Sequence, residues 1–145
     1  MFYILFHILF HIFCYDIWLY FSHIMLHHKN IYFIHKIHHR KSYALIKYFD
    51  THDAHIIENI VQPVGLFIPY ILSFNTSPSI VAISFLLISI RGLMRHDDRC
   101  SWLIGNHHLL HHKYPAHNFG EYWLDVCFGT IYPNKSEYIY GKIYN

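Results

Sequence analysis

The stretch MFYILFHILFHIFCYDIWLYFS (residues 1–22) decides the fold class, because it carries no Lys or Arg and only one acidic residue. About 20 consecutive apolar residues cross the hydrocarbon core of a bilayer, and this stretch is long enough to do so. It lacks a charged leading segment and a small-residue cleavage site, so we do not expect a removed signal peptide. The sequence therefore predicts that the chain enters a membrane as a helix near its start.

The composition agrees with a membrane protein. The chain has 145 residues, enough for one domain, and 54% of them are hydrophobic while 14% are charged. Soluble domains carry about 25% charged residues. The net charge of +2 does not indicate nucleic-acid binding, and we do not expect the basic residues to be interleaved with exposed aromatic residues as a groove that follows a nucleic-acid backbone requires. The three cysteines are widely spaced and include no CxxC, so neither a disulfide framework nor a thiolate zinc site is expected.

Two further apolar runs, residues 60–74 and 80–94, flank a turn-forming segment at residues 75–79. The first run contains Pro63 and Pro69, which a helix in lipid tolerates as kinks. Each run is short for a full span, so we predict a helical hairpin that dips into the membrane and returns to the same side. The alternative is that these runs form the buried core of a soluble helical protein.

This topology places the histidine-rich segments on one membrane face. Nearly all Lys and Arg residues lie on the same side, whereas the turn has none, so the positive-inside tendency makes that face cytosolic. The predicted fold class is an all-α integral membrane helical protein with a histidine cluster on its cytosolic face.

The first histidine pair, His23 and His27, has the i, i+4 spacing that puts both imidazoles on one helix face. Asp16 lies on the same stripe, and an acid in an apolar helix needs a partner. The N–H of a metal-bound imidazole is a natural partner, so we predict that Asp16 supports a metal ligand from behind. His7 and His11 lie on another face of the helix, and we predict that they pack or form hydrogen bonds without binding metal.

Two copies of an HxxHH box follow, HKIHH and HLLHH, and each is predicted to place three imidazoles in one cluster on a helical surface. His96 stands alone between them. Nine nitrogens are too many for one metal ion but suit two, with positions left for dioxygen or water. Imidazole suits iron, zinc and copper alike. The predicted metal ligands are His23, His27, His35, His38, His39, His96, His108, His111 and His112.

Two features near the last box have smaller predicted roles. His107 lies four residues before His111, which makes it a candidate hydrogen-bond donor behind the ligands rather than a ligand. The segment NFGEYW is predicted to turn at Gly120 and to close the site rather than to take part in chemistry.

The ordered set of boxes, with a hydrophobic hairpin between them, resembles the membrane fatty acid hydroxylase / sterol desaturase family. The segment DIWLYFSHIMLHHKNIYFIHKIHH (residues 16–39) resembles the first block of that family, and residues 118–130 resemble the block after its last box. The resemblance covers roughly residues 16–131. It implies a single fatty acid hydroxylase-like membrane domain over residues 1–145.

Two positions are interpreted in the light of this resemblance. Relatives often carry a histidine and an acid where His55 and Glu58 stand, but a solvated interfacial helix explains these residues too, and we favour that reading. Some relatives carry a further histidine four residues before His96, where this chain has Gly92.

The resemblance implies an oxidoreductase with two iron ions, for which zinc would be a substitute. Such an enzyme hydroxylates or desaturates a sterol or a fatty-acyl chain with dioxygen. The sequence has no GxGxxG after a strand and no haem or iron–sulfur motif, so electrons would come from an external donor. The resemblance implies that this donor is a cytochrome b-type protein with an NAD(P)H reductase. In a eukaryote the location would be the endoplasmic reticulum membrane. The alternative is a non-catalytic membrane metal-binding or transport protein, or an inactive relative.

Overall fold

The structure is a computed structural model that describes residues 2–72 and 75–143, and every regular element in these ranges is helical. The α-helices are α1 (Phe2–Leu26), α2 (Tyr32–His35), α3 (Ile56–Val61), α4 (Ile68–Ile71), α5 (Pro78–Arg95), α6 (Ser101–Ile104), α7 (His107–Lys113) and α8 (Tyr122–Phe128). Short 3₁₀ helices lie between them at His38–Arg40, Tyr43–Leu45, Tyr48–His52, Gln62–Phe67, Asp98–Cys100 and Lys135–Glu137. The predicted domain and hairpin include five residues that lie outside the described ranges: Met1, Ser73, Phe74, Tyr144 and Asn145.

Two helices, α1 and α5, are long and apolar enough to cross a membrane. Only 28% of the apolar window of α1 and 22% of that of α5 is buried. Large side chains such as Phe6, Leu9 and Leu86 face outward instead. The core helix of a soluble protein would cover most of its apolar side chains. The exposed apolar faces therefore favour a membrane over the soluble alternative.

The two arms of the predicted hairpin differ. The second arm is the continuous helix α5, whereas the first arm is divided into α3, the Gln62–Phe67 3₁₀ helix and α4. Pro63 and Pro69 each lie in the first turn of a new piece, because proline lacks the N–H that would continue the preceding helical hydrogen bonds. The predicted kinks are thus breaks that change the type of helix.

Side chains of α1 supply hydrogen bonds to the broken arm. The Trp18 indole N–H donates to the Val61 carbonyl over 2.8 Å, and His11 Nδ1 donates to the Leu66 carbonyl over 2.7 Å. Gly65 allows this close packing, since a Cβ there would lie 2.5 Å from the Cβ of Trp18. Backbone carbonyls freed by the breaks need other partners, and α1 provides them.

The loop between the arms is also held by α1. Tyr3 donates its hydroxyl to the Asn75 carbonyl over 2.6 Å, and His7 Nδ1 pairs with the Thr76 hydroxyl over 2.9 Å. Tyr70, near the end of the first arm, donates to the Thr76 carbonyl over 3.0 Å. The prediction that His7 and His11 form hydrogen bonds within the helical packing is confirmed.

A buried charge network joins α1, α5 and the residue before α8. Arg91 forms a two-pronged ion pair with Asp16 and lies 3.3 Å from Glu121, which also pairs with Arg95. The predicted contact between Asp16 and an imidazole is therefore wrong among the described residues. A guanidinium matches a carboxylate in a planar, bidentate pair, and α5 places one beside Asp16. The stripe on α1 alone could not reveal this neighbour.

Candidate metal centre

The nine predicted ligands gather from three chain segments into two adjoining groups. Within each group, one ligand-capable nitrogen from every residue lies within 4.8 Å of all the others. The five-histidine group contains His23, His27, His35, His39 and His111. The four-histidine group contains His38, His96, His108 and His112. Metal binding by these groups stays a prediction. The nitrogens of each group lie close enough together to hold one ion per group.

Each HxxHH box is divided between the two groups. The first and last histidines of a box share one group, as His35 and His39 do, while the middle one joins the other group, as His38 does. The three rings of each box lie together as predicted, with centroids 4.6–5.9 Å apart, but they are divided between the two groups. In α7, which carries the second box, the i+4 position lies about 40° to one side of position i and the i+3 position about 60° to the other. This box thus presents imidazoles to both sides of one stripe.

The ring nitrogens of neighbouring histidines meet at short distances. In the five-histidine group the Nε2–Nε2 distances are 2.9 Å for His23–His35 and His35–His39, 3.0 Å for His39–His111 and 3.1 Å for His27–His111. In the four-histidine group they are 3.1 Å for His38–His96 and 3.0 Å for His96–His108. The Nε2 atoms therefore converge within each group.

Hydrogen bonds on the far side of the rings fix their tautomers. Nδ1 donates to a backbone carbonyl in three cases: His23 to Phe119 over 2.5 Å, His111 to His117 over 2.7 Å, and His96 to Gly92 over 2.7 Å. A carbonyl only accepts, so Nδ1 carries the proton and Nε2 of the neutral ring carries the lone pair. Lone pairs facing one another about 3 Å apart repel unless a cation lies between them. The donor set therefore fits two metal ions.

Glu58 holds a further ring of the five-histidine group. Its buried carboxylate accepts from His35 Nδ1 over 2.8 Å and from the Gln62 amide over 3.0 Å. The predicted solvated helix is thus wrong for Glu58, whereas His55 caps α3 by accepting from the Ile57 N–H. A carboxylate behind a ligating imidazole fixes its orientation and makes it a stronger ligand.

Burial keeps the candidate ligands neutral. Desolvation lowers the pKa of His27 and His38 to about 4 and that of His39 to about 3. The pKa values of His35, His96, His108, His111 and His112 are lowered by the same cause. A metal ion binds the neutral imidazole, so the site holds its histidines in the form that binds.

His107 does not contact His111 in the predicted way. Its Nε2 lies 2.9 Å from the Asp125 carboxylate instead. His107 is the first residue of α7, where its side chain points towards α8, and a buried carboxylate is the stronger acceptor. The predicted role of His107 behind the ligands is therefore replaced by a contact with Asp125.

Asp125 holds the loop that orients His23. Its fully buried carboxylate accepts from the Phe119 and Gly120 N–H groups, each over 2.9 Å, and from the Thr130 hydroxyl over 2.6 Å. The Phe119 carbonyl of this loop accepts from His23. Sequence reasoning missed Asp125, although an acid inside the apolar segment YWLDVCF was a signal of a buried polar contact.

The chain turns at Asn118 rather than at Gly120. Asn118 has φ of +59°, and its buried amide donates to the His107 carbonyl over 3.1 Å and accepts from the Tyr132 N–H over 2.8 Å. Asparagine tolerates this left-handed conformation when its side chain bonds locally. Gly120 serves packing instead, since a Cβ there would lie 2.8 Å from Cδ2 of Tyr20.

A cavity of about 50 Å³ borders both groups. Its lining includes His23 and His35 from the five-histidine group and His38, His96 and His108 from the four-histidine group. A small molecule in this space would reach nitrogens of both groups. The arrangement therefore has the parts of a two-metal site that is enclosed by protein and accessible to a reactant.

The chain was compared with known families and structures. The family model described as fatty acid hydroxylase matches residues 8–130. No solved structure matches the chain. The matched range contains all nine clustered histidines together with Glu58 and Asp125.

Proposed function

Because this chain belongs to the fatty acid hydroxylase family, we propose that it is a membrane oxidoreductase that uses two iron ions to hydroxylate a lipid. The observation that supports this most directly is the convergence of fixed imidazole lone pairs on two adjoining points. The family supports an oxygenase activity, and the apolar faces of α1 and α5 support a membrane setting.

Each part of the site has a role in this proposal. Bound iron would supply the activation of dioxygen, which protein side chains lack and which oxidation of an unactivated C–H bond requires. The two histidine groups would hold the ions, and the carbonyls and carboxylate behind them would keep the rings oriented. The enclosed cavity would exclude bulk water around the reacting carbon.

The reaction we favour is hydroxylation rather than desaturation. The substrate would gain one oxygen atom of dioxygen, and the other atom would leave as water with two protons and two external electrons. The electrons would come from a cytochrome b-type protein and its NAD(P)H reductase. The histidine groups would face the cytosol, at the endoplasmic reticulum in a eukaryotic host.

Lipid profiling of a host that makes sterols and fatty acids tests the proposal. The host would express the wild-type chain, the His111→Ala variant, or the His28→Ala variant as a control, since His28 is exposed and outside both groups. We expect about two irons per chain and a lipid that gains one oxygen with the wild type and the control, but not with His111→Ala.

The other outcomes select the alternatives. A product that has lost two hydrogens would replace hydroxylation by desaturation. Identical lipid profiles, with folded, iron-loaded protein and a reductase present, would favour a non-catalytic metal-binding protein. Full metal retention by His111→Ala would contradict the metal centre itself.

A further inference from the structure

The segment of the chain that contains α8, residues 118–130, runs along α1 towards the middle of that helix. At its start the Phe119 carbonyl accepts from His23, near the end of α1. Further along, Trp123 stacks on Phe13, with ring centroids 5.7 Å apart and planes 9° apart. Phe13 precedes His23 by ten residues in α1, which is about 15 Å along the helix axis. We call residues 118–130 the α8 segment.

The α8 segment then returns to the level at which it started. Phe128 stacks on Tyr20 with ring centroids 5.0 Å apart, and the Thr130 hydroxyl lies 3.0 Å from that of Tyr20. The two ends of the segment are joined, because the Asn118 N–H donates to the Thr130 carbonyl over 2.9 Å. The segment is therefore a closed loop that extends along α1 and comes back on the same side.

The charged and backbone groups of the α8 segment have partners within the protein. Its two charged residues, Glu121 and Asp125, are both buried, and Glu121 pairs with Arg95. The Leu124 and Asp125 N–H groups donate to the Glu121 carbonyl, and the Thr130 N–H donates to the Asp125 carbonyl. Irregular backbone is tolerated at membrane depth only where the protein satisfies its polar groups, and these contacts meet that need.

The outer face of the α8 segment is apolar and continues the outer face of α1. Trp123, Val126 and Phe128 are exposed on it. They adjoin Phe13 and Phe21 of α1, each 47% exposed, because Trp123 stacks on the first and Phe128 contacts the second. A charged side chain is costly in hydrocarbon, and this face presents none. Exposed apolar patches of this kind mark contact surfaces.

We propose that the α8 segment is a re-entrant membrane element whose outer face contacts the acyl chains of the leaflet on the histidine side. This inference rests on the proposed membrane setting of α1. A ring that stacks on the outward face of a membrane helix, near the middle of that helix, is surrounded by the same lipid as the helix. The segment also carries the Phe119 carbonyl that orients His23. The bilayer thus supports one candidate metal ligand from outside the protein.

Fluorescence quenching of a dye on Cys127, which is exposed on α8, tests this position without requiring turnover. The full chain with Cys14→Ala and Cys100→Ser would carry a nitrobenzoxadiazole dye on Cys127 in phosphatidylcholine vesicles. A nitroxide on the lipid acyl chain reports contact with lipid, and iodide reports contact with water. Two matched chains carry Cys127→Ala and the dye at another position. These are Leu86→Cys, on the exposed apolar face of α5, and Lys135→Cys, in an exposed 3₁₀ helix.

We expect the dye on Cys127 to behave like the dye at Leu86→Cys. Compared with Lys135→Cys, quenching by the nitroxide lipid should be about threefold stronger and quenching by iodide about threefold weaker, because water is absent from the hydrocarbon core. A check without a dye uses Trp123, which is exposed beside Phe13. Brominated phosphatidylcholine should quench the tryptophan fluorescence of the wild type more than that of Trp123→Phe, which keeps a ring for the stack.

Three results would overturn the inference. They are quenching of the Cys127 dye by iodide as strong as at Lys135→Cys, equal quenching of wild type and Trp123→Phe by the brominated lipid, and protection of the Cys127 dye from both quenchers. The last result would mean that a second copy of the chain covers this face. A dye at Leu86→Cys that is not quenched by lipid would reject the membrane setting, and the inference with it. Lipid contact at Cys127 in a chain that makes no oxygenated product would reject the proposed function while the re-entrant element stands.

Discussion

The two histidine groups are built from the same residue type but are held from behind in different ways. In the five-histidine group, two backbone carbonyls and the Glu58 carboxylate fix three of the five rings. In the four-histidine group, the Gly92 carbonyl fixes His96, while the ring nitrogens of His112 have no hydrogen-bond partner within the described residues. The first group is preorganised, and the second has freer rings.

This difference bears on what each group does. A preorganised set of ligands loses little freedom on binding, so the five-histidine group should hold its ion more tightly. The four-histidine group has one imidazole fewer, and three of its four members line the cavity of about 50 Å³. An ion held by this group would therefore leave more room for a reactant beside it.

Removal of one ligand from each group should have the largest effect. We expect His111→Ala and His38→Ala each to lower iron from about two to about one per chain and activity by more than about 100-fold, because even residues behind ligands cost 10- to 100-fold. Metal analysis and Mössbauer spectra of the two variants should report different remaining ions. Identical spectra would contradict the expected difference between the two histidine groups.

The charge network that joins the helices of the two groups is the next point to test. Arg91→Met should lower the free energy of unfolding by about 3–5 kcal/mol, since it removes the arginine that pairs with the buried Asp16 carboxylate. Thermal denaturation in detergent measures this. Arg40→Met is the control, because its pair with Asp53 is largely exposed and contributes about 0–1 kcal/mol. Equal effects would show that the network does not hold the helices together.

A smaller effect is expected from the loss of Glu58, which holds the His35 ring of the five-histidine group. Glu58→Ala should weaken metal binding at that group by about 10- to 100-fold, because the His35 ring loses its acceptor. Glu58→Gln retains an acceptor oxygen and should keep most of the affinity. Competition with a chelator measures both variants, and equal affinity of Glu58→Ala and the wild type would contradict preorganisation.

The smallest expected effect concerns the loop behind His23. The Tyr20 hydroxyl lies 3.0 Å from that of Thr130, which donates to Asp125. Tyr20→Phe should lower the free energy of unfolding by about 1 kcal/mol, the usual contribution of one hydrogen bond. Iron content should not change, as the Asp125 contacts remain. A loss of iron in this variant would mean that the loop depends on Tyr20 for its position.

The identity of the clustered histidines could be predicted from the sequence, because i, i+3 and i+4 spacing depends only on the helix itself. Their division into two groups could not. Whether the middle histidine of a box joins its own neighbours depends on which helices approach from each side. His38 contacts His96, which directly follows α5. His111 contacts His27, which directly follows α1.

Other contacts between residues far apart in the sequence could not be predicted either. The need of Asp16 for a partner was visible in the sequence, but Arg91, 75 positions away, was not. Glu58 reads as a surface residue within its own segment, and only the fold shows that it is buried against His35. Local periodicity predicts which residues share a face, whereas the contacts across helices decide what that face touches.

The division of each box between the groups also has an evolutionary consequence. One residue inserted between His108 and His111 would turn the following two histidines by about 100° around α7, and it would disturb both groups because His108 belongs to one and His111 to the other. A change of register in this box therefore cannot alter one group and spare the other. Selection would act on the two groups together, since both draw on the same short segment.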